Sequence, residues 1–403
     1  MLGPSVTVSV MTAETSVVAL AEQFLREHDP ATTDRIEFLR AQFDAGLAWV
    51  GFPEGLGGLG LDSGLQATVD RLLRAAGAPN NRPQGNVIGL GMAAPTLLRF
   101  GTPEQQRRWM RPLWTGEEIW CQLFSEPGAG SDLAAVSATA RRDGDDWVVN
   151  GQKVWTSLAH DASWAVLLVR TDPSLPKHRG LTYFVCDMHA SGLDVRPLRQ
   201  ITGEAEFNEV FLENVRVPDA NRLAEVGDGW KVTQGTLMNE RVAIGGGIAP
   251  RESGPIQPLA EAWRSGRVAR SADLHAELMD LWIDAEALRL TSARLGQQLE
   301  VGAPGPEGSG LKLAFSDLAQ QASSLALDLQ GAEALRYDDW TMKRPDLTTV
   351  PDRVPGWTYL RTRANSIEGG TSEVMRNIIS ERVLGMPAEA RPDRDTPWKD
   401  LAK

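Results

Sequence analysis

The sequence predicts an α+β protein built from three consecutive regions: helical, then mostly antiparallel β, then helical again. Three observations carry this. Apolar residues recur at spacings of three and four from about Ser16 to Gly116. The period changes to two between about Ile119 and Pro218, in short β-rich runs. The helical period returns from about Gly229 onward. The expected domain limits are 1–118, 119–222 and 223–403.

In the first region, Val17, Leu20, Ala21, Phe24 and Leu25 form one helical face, and Leu65, Val69, Leu72, Leu73 and Ala76 another. The leader MLGPSVTVSVMTAETS has no basic segment followed by an apolar core, so it is not expected to be a signal peptide. It reads as frayed, with Met11 as an alternative start. Gly55-Leu56-Gly57-Gly58-Leu59-Gly60 matches G-x-G-x-x-G. A dinucleotide fold needs a strand before the glycines and an acidic residue ending a second strand about 20 positions on. Here Pro53 interrupts the preceding run and Asp70 lies in a helical pattern, so a helix-to-helix loop is expected.

The middle region offers strands at Trp147–Val149, Lys153–Thr156, Trp164–Val169, Leu181–Cys186 and Glu209–Val217. Asn150-Gly151, between two of these runs, predicts a hairpin turn. The third region predicts helices over Trp230–Gly245, Ala272–Glu300, Leu311–Gln330, Trp357–Asn365 and Ser372–Leu384. The loop Gly302–Gly310 separates the second from the third, and Gly385 then Pro387 stop the last.

Composition narrows the function classes. The 403 residues are 42% hydrophobic, which suits two or three globular cores. A net charge of −12 repels phosphate backbones and argues against nucleic-acid binding as the main role. Cys121 and Cys186 are too far apart for a metal knuckle, and five histidines show no H-E-x-x-H pattern. No run of 18 apolar residues exists, so no membrane span is expected and a cytoplasmic protein is the default.

Two middle-region segments carry chemistry. Pro127-Gly128-Ala129-Gly130-Ser131-Asp132 is rich in small residues whose backbone N–H groups can form an anion nest. The same composition also describes a plain surface turn, and both readings stay open. In Gly151–Ala159, Trp155 offers an aromatic face beside the hydroxyls of Thr156 and Ser157, which suits a planar heterocycle. In a chain with 13 tryptophans, a core tryptophan is the competing reading.

With SEPGAGSDLAA, VNGQKVWTS, FNEVFLENVRVP and IEGGTSEVMRNIISERVLG in this order, the chain resembles the acyl-CoA dehydrogenases. PEGLGGLGLD is similar to that family's N-terminal loop, and the likeness runs from about Ala41 to Pro387. The resemblance implies an N-terminal helical domain, a central antiparallel β-barrel-like domain and a C-terminal four-helix bundle. It implies FAD, an acyl-CoA substrate, a homodimer or homotetramer, and an electron-transferring flavoprotein as acceptor. Gln122, Phe124, Ser125, Gly130 and Ser131 would line the flavin. Trp155, Thr156 and Ser157 would pack against its ring, with Ser157 near N5. Thr371 and Glu373 would sit near the phosphates and adenosine, where helix amides attract anions. Ser131, Leu237, Arg241 and Gly369 would meet the substrate. One family element is altered: an Arg-x-x-Phe-Gly segment that reaches the partner subunit's FAD is replaced by EAWRSGRVARSADL, where Arg267 or Arg270 is the candidate substitute.

The implied reaction is α,β-dehydrogenation, with a carboxylate removing the α-proton while the β-hydride passes to flavin N5. The weakly acidic proton demands donors aimed at the enolate-like oxygen and a base with a raised pKa. The family's common base precedes Gly-Thr at the last helix. Aligning Gly370-Thr371 puts Gly369 there and leaves Glu368 one residue early. The second family place is a Leu-x-x-Glu-Arg run on the first C-terminal helix, and Leu237-Met238-Asn239-Glu240-Arg241 fits it. Helical neighbours of Glu240 are Thr236, Leu237, Ala243 and Ile244, all small or apolar, so Glu240 is the expected base. The competing reading for Glu240 is an ion pair with a distant arginine. The costly helix-end glycines Gly245–Gly247 suggest room for a bulky acyl group. Two alternatives keep the fold: a flavin monooxygenase, and a non-catalytic subunit of a hetero-oligomer.

Overall fold

The computed structural model describes residues 4–81, 86–244, 249–301, 305–337, 339–345, 354–391 and 393–401. Among the described residues, the α-helices of the N-terminal region are α1 (Pro4–Glu27), α2 (Arg35–Asp44), α3 (Gln66–Ala75), α4 (Ala94–Phe100) and α5 (Pro103–Thr115). The leader expected to be frayed is helical from Pro4 onward, because it continues the α1 pattern without a breaker. Val17, Ala21, Phe24, Leu65, Val69 and Leu73 are all buried in one cluster, as their spacing demands. The glycine-rich segment connects α2 to α3 as a loop. Gly57 has φ +84° there, and a Cβ on Gly58 would lie 2.1 Å from the Phe52 carbonyl oxygen.

The middle region holds β1 (Trp120–Leu123), β2 (Thr139–Asp143), β3 (Asp146–Ser157), β4 (Trp164–Arg170), β5 (Leu181–Asp187), β6 (Leu193–Leu198), β7 (Phe207–Pro218) and β8 (Arg222–Leu223). They make one sheet in the order β6-β7-β3-β2-β4-β5-β8, with β1 added parallel to β4. A single pair, Thr139–Arg170, joins β2 to β4, so the sheet consists of two halves, antiparallel apart from β1. Val149, Val210, Leu212 and Val215 of one half share a core with Leu167, Val169, Phe184 and Cys186 of the other. Two halves that close over one apolar interior make the region barrel-like.

The expected Asn150-Gly151 hairpin is not formed. β3 runs straight through it as one strand against β7, with a bulge between Val149 and Gly151. Asn150 is used laterally: its Oδ1 accepts from the Asn214 amide at 2.9 Å. Gly151 is required because a Cβ there would lie 2.4 Å from that of Ala138. The hairpin lies earlier, where Asp143 pairs with Asp146 around Gly144 at φ +64°.

The C-terminal region holds α6 (Gly229–Ile244), α7 (Gln257–Ser265), α8 (Ala272–Val301), α9 (Gly308–Gln330), α10 (Pro355–Thr362) and α11 (Ser372–Ile378). All the others pack against α9, which makes it the axis of the bundle. Leu318, Ala322, Leu325 and Leu329 of α9 meet Leu278 and Leu281 of α8. α6 also lies on β5 and α4, linking the bundle to both other regions. Among the described residues, no helix is long and apolar enough to cross a membrane.

Candidate active site

The candidate residues lie on the β1–β2 connection, which Ser125 ties to β3, on the end of β3, and on the turn into α11, which Arg361 links to Glu206 beside Phe207 and Trp155. Gln122 lies half-buried in β1, and Phe124 is buried edge-on to Tyr183, ring centroids 5.7 Å apart. Ser125 accepts the Val154 amide on its carbonyl at 2.9 Å, which ties this connection to β3. Next comes a tight turn: Glu126 and Ala129 exchange both backbone hydrogen bonds around Pro127-Gly128. Gly130 and Ser131 follow, both exposed, and a Cβ at Gly128 or Gly130 would meet nothing within 4 Å. The small residues therefore form an open cradle.

A buried ion pair holds this turn. Lys153 is fully buried, and its Nζ donates to Glu126 Oε1 at 2.8 Å, the Phe124 carbonyl at 3.0 Å and the Leu168 carbonyl at 2.7 Å. Glu126 also accepts the amides of Ser137 and Ala138. Burial alone would raise the Glu126 carboxyl. The Lys153 charge, together with these hydrogen bonds, outweighs it and holds the carboxyl below its usual range. Every lone pair and proton of the pair is matched inside the protein, the condition under which buried charges are tolerated.

At the end of β3, a second bulge turns Trp155 outward at φ +61°, leaving it 57% exposed. A non-glycine residue in this region is uncommon and concentrates at functional sites. Trp155 is thus not a core tryptophan, unlike Trp120, which is 1% exposed. Thr156 is buried, and its Oγ1 has no hydrogen-bond partner. Its carbonyl is held by Asn208 Nδ2 at 3.0 Å, and Ser157 is half-buried beside it.

The third wall is Ile367–Thr371. Gly369 and Gly370 take φ +63° and +95°, so the turn is closed to ordinary side chains. Lys312 of α9 donates to the Asn365 and Gly370 carbonyls, each at 2.6 Å. Thr371 caps α11, its hydroxyl accepting from the Val374 amide. Glu373 is exposed, 3.7 Å from Arg376. Glu368 is engaged: Arg361 Nη1 donates to its Oε1 at 2.9 Å, while Arg361 Nη2 faces Glu206 at 3.6 Å. The Arg361 guanidinium lies 5.6 Å from the Phe207 ring, which meets Trp155 edge-on at 5.8 Å. One chain of contacts thus joins the glycine turn to the exposed tryptophan.

α6 borders this space. Thr236 hydrogen-bonds Thr96 at 2.9 Å and the Tyr183 hydroxyl at 3.1 Å, and Leu237 packs on the same core. Position 240 follows one turn later along that stripe. The side chains of Glu240 and Arg241, like all of Gly245–Gly247, lie outside the described residues.

Family models match all three regions: the acyl-CoA dehydrogenase N-terminal domain over residues 11–117, the middle domain over 121–215 and the C-terminal domain over 227–384. The chain is 38% identical over 91% of its length, and 91% of the relative's, to acyl-CoA dehydrogenase IpdE1 of Mycobacterium tuberculosis. This chain belongs to the acyl-CoA dehydrogenase family. It is also 31% identical to the human mitochondrial short-chain specific acyl-CoA dehydrogenase, covering 92% of this chain and 87% of that one. Among solved structures, the ChsE4-ChsE5 complex from Mycobacterium tuberculosis matches with a TM-score of 0.68 at 27% identity, covering 96% of this chain and 99% of that one.

The chain is therefore an acyl-CoA dehydrogenase-type oxidoreductase, and its residues fit the family's FAD. The buried, unpartnered Thr156 hydroxyl, the exposed Trp155 face and the open glycine cradle are what a planar, polar-edged cofactor would complete. The altered arginine segment falls at the end of α7. Arg270 folds back over the Trp263 ring at 5.1 Å and donates to the Trp263 carbonyl, while Arg267 is exposed. Sequence reasoning missed the supports: Lys153, Glu126, Asn208, Lys312 and Arg361. Lys153 and Glu126 lay inside motifs already singled out, but only a fold brings them together.

Proposed function

We propose that this chain catalyses α,β-dehydrogenation of an acyl-CoA thioester, with Glu240 as the base that takes the α-proton. The observation that carries this is the state of the glycine turn. Gly369, where the family's common carboxylate would stand, has no side chain, and neighbouring Glu368 is committed to Arg361. A carboxylate must then come from another element. Position 240 lies on α6, one turn after Thr236, which hydrogen-bonds Tyr183, the ring that Phe124 meets edge-on.

Gln122, Phe124, Ser125, Gly130 and Ser131 would hold FAD along the cradle, Trp155, Thr156 and Ser157 at its ring, and Thr371 and Glu373 towards its far end. FAD, when bound, supplies a two-electron acceptor for the substrate's β-position. The rest is the chain's own work. Glu240 receives the α-proton on a carboxylate oxygen. The Gly369 N–H is a backbone donor for the thioester oxygen as negative charge gathers there. Ser131 and Leu237 orient the acyl group, Arg241 assists in holding the substrate, and Trp155 with Phe124 keeps water from the reacting carbons.

Glu240→Gln should abolish turnover, by about a thousandfold or more, while the protein stays yellow with FAD. Full loss on Glu368→Gln with a competent Glu240→Gln enzyme would reverse the assignment. The acyl group is read as bulky or branched; preference for butyryl-CoA over isobutyryl-CoA and cyclohexanecarbonyl-CoA would sink that. An electron-transferring flavoprotein is the proposed acceptor.

Assembly has two readings. α8 exposes Met279, Ile283 and Leu290, an apolar face that suits another chain of the same fold. A homodimer or homotetramer is one. The replaced arginine segment, and a solved relative that is itself a two-name complex, favour pairing with a different family member. A purified chain that is colourless and gains FAD only with a second family chain supports the latter.

A further inference from the structure

The cradle Gly128–Ser131, exposed except at the buried Ala129, stands on two legs. Lys153 and Glu126 brace the first. The second, Asp132–Val136, is braced by groups that no motif contains. Arg170, at the end of β4, is 1% exposed. Its Nη2 donates to the Ala134 carbonyl at 2.6 Å, Nε to that of Val136 at 3.1 Å and Nη1 to that of Lys177 at 3.2 Å. Trp398, from the C-terminal tail, covers this guanidinium at 4.4 Å and donates through Nε1 to the Ala135 carbonyl between them at 3.3 Å. Three consecutive carbonyls are thus held by one arginine and one tryptophan. The tail is itself seated on the β4–β5 connection, the Trp398 and Lys399 amides donating to the Leu175 and Pro173 carbonyls at 2.9 and 3.0 Å. Lys177 ties both partners together, 2.7 Å from Asp132 and 3.7 Å from Asp393. The family-model match ends at residue 384, before this tail begins.

We propose that the tail 393–401 is a strap that positions the substrate-facing cradle, with Trp398 and Lys177 as positioning residues that act on acyl-CoA affinity and not on the chemical step. This rests on the reading that Ser131 meets the substrate. The strap works from behind. Among the described residues, its contacts named above go to the second leg of the cradle and the β4–β5 connection, not to Trp155-Thr156 or Gly369, so turnover of bound substrate is expected to hold. What it restrains is the freedom of residues 131–136, whose ordering a looser cradle would have to supply at the moment of binding.

The test uses the full-length, FAD-loaded enzyme and the fastest substrate of the three-member acyl-CoA panel above. Trp398→Ala and Lys177→Met should each raise KM roughly tenfold with kcat within about twofold and FAD content unchanged, and Lys177→Arg should restore most of the loss. Hydrogen exchange at residues 131–136 should quicken in both variants, while the core of β4 stays protected. Ser131→Ala is the companion control. If it raises KM and the strap variants do not, the strap proposal alone falls. If it leaves KM unchanged as well, there is no substrate-facing cradle to position, and both readings fall. A fall in kcat without a change in KM would also overturn the proposal.

Discussion

Two glycine-containing turns carry candidate site residues, and they are held in different ways. The Pro127–Ser131 turn rests on a fully buried ion pair, Lys153–Glu126, in which side chains are 0% and 4% exposed. The Ile367–Thr371 turn rests on Lys312, which grips two carbonyls, and on the Arg361–Glu368 pair, in which side chains are 22% and 40% exposed. The first turn is thus integral to the β core, and its support cannot be removed without stranding a charge. The second is clipped onto the helical bundle from outside and relies on glycine φ values for its shape. A turn braced by buried charges is costly to alter but rigid; one braced at the rim tolerates substitution beside it. On the proposed reading, that difference is what lets the second turn carry Gly369 with no side chain while another helix supplies the carboxylate.

The largest expected effect comes from breaking the buried pair. Lys153→Met leaves Glu126 buried without its cation, which should cost about 3–5 kcal/mol. Denaturant unfolding would measure it, and a cost below ~1 kcal/mol would mean the pair does not brace the turn. The same pair sets an acid dependence. Glu126 has a folded pKa below its unfolded value, so its contribution is fully present above the unfolded carboxylate range and is lost as pH falls through the folded value. Stability should therefore decline on acidification below about pH 5, and Glu126→Gln should flatten part of that slope while lowering stability at neutral pH.

Lys312→Met is intermediate. It removes charge-assisted hydrogen bonds to the Asn365 and Gly370 carbonyls, and about 2–3 kcal/mol is expected from such groups. Because those carbonyls shape the turn into α11, FAD affinity should weaken along with stability. A variant that unfolds earlier yet binds FAD as tightly as the parent would separate the turn from cofactor binding.

Much of the architecture was legible because period and burial are local properties. The faces of α1 and α3, the runs of β4 and β5 and the α6, α8 and α9 helices follow from spacing alone. Asn150-Gly151 misled because its local chemistry is that of a turn, while the actual demand came from Ala138 on the neighbouring strand and Asn214 across the sheet. The site divides the same way. Trp155, Thr156 and Ser157 sit together in sequence and in space. Lys153 lies in a strand run and a motif that the sequence singles out, but nothing local reveals that Phe124, Glu126 and Leu168 converge on it. Arg170 and Trp398 are 228 positions apart in the chain. The Arg361–Glu368 pair, though only seven residues apart, spans a helix end and a left-handed turn that periodicity does not describe.

The smallest effect tests the comparison most directly. Glu368 is the carboxylate that sequence position first offers as a base, and its geometry makes it a tether. Its side chain is 40% exposed, so the pair with Arg361 is worth only about 1 kcal/mol, and Arg361 keeps Glu206 and the Phe207 ring when Glu368 is removed. Glu368→Gln retains a hydrogen-bond acceptor of the same length. It should leave most of the turnover rate, within about threefold, and shift stability by less than ~1 kcal/mol. Steady-state rates beside those of Glu240→Gln make the measurement. A thousandfold loss at Glu368 would mean that the arginine-bound carboxylate is released to act on the substrate, and the exposed turn would then be the catalytic wall, with the braced one serving only to hold the cofactor.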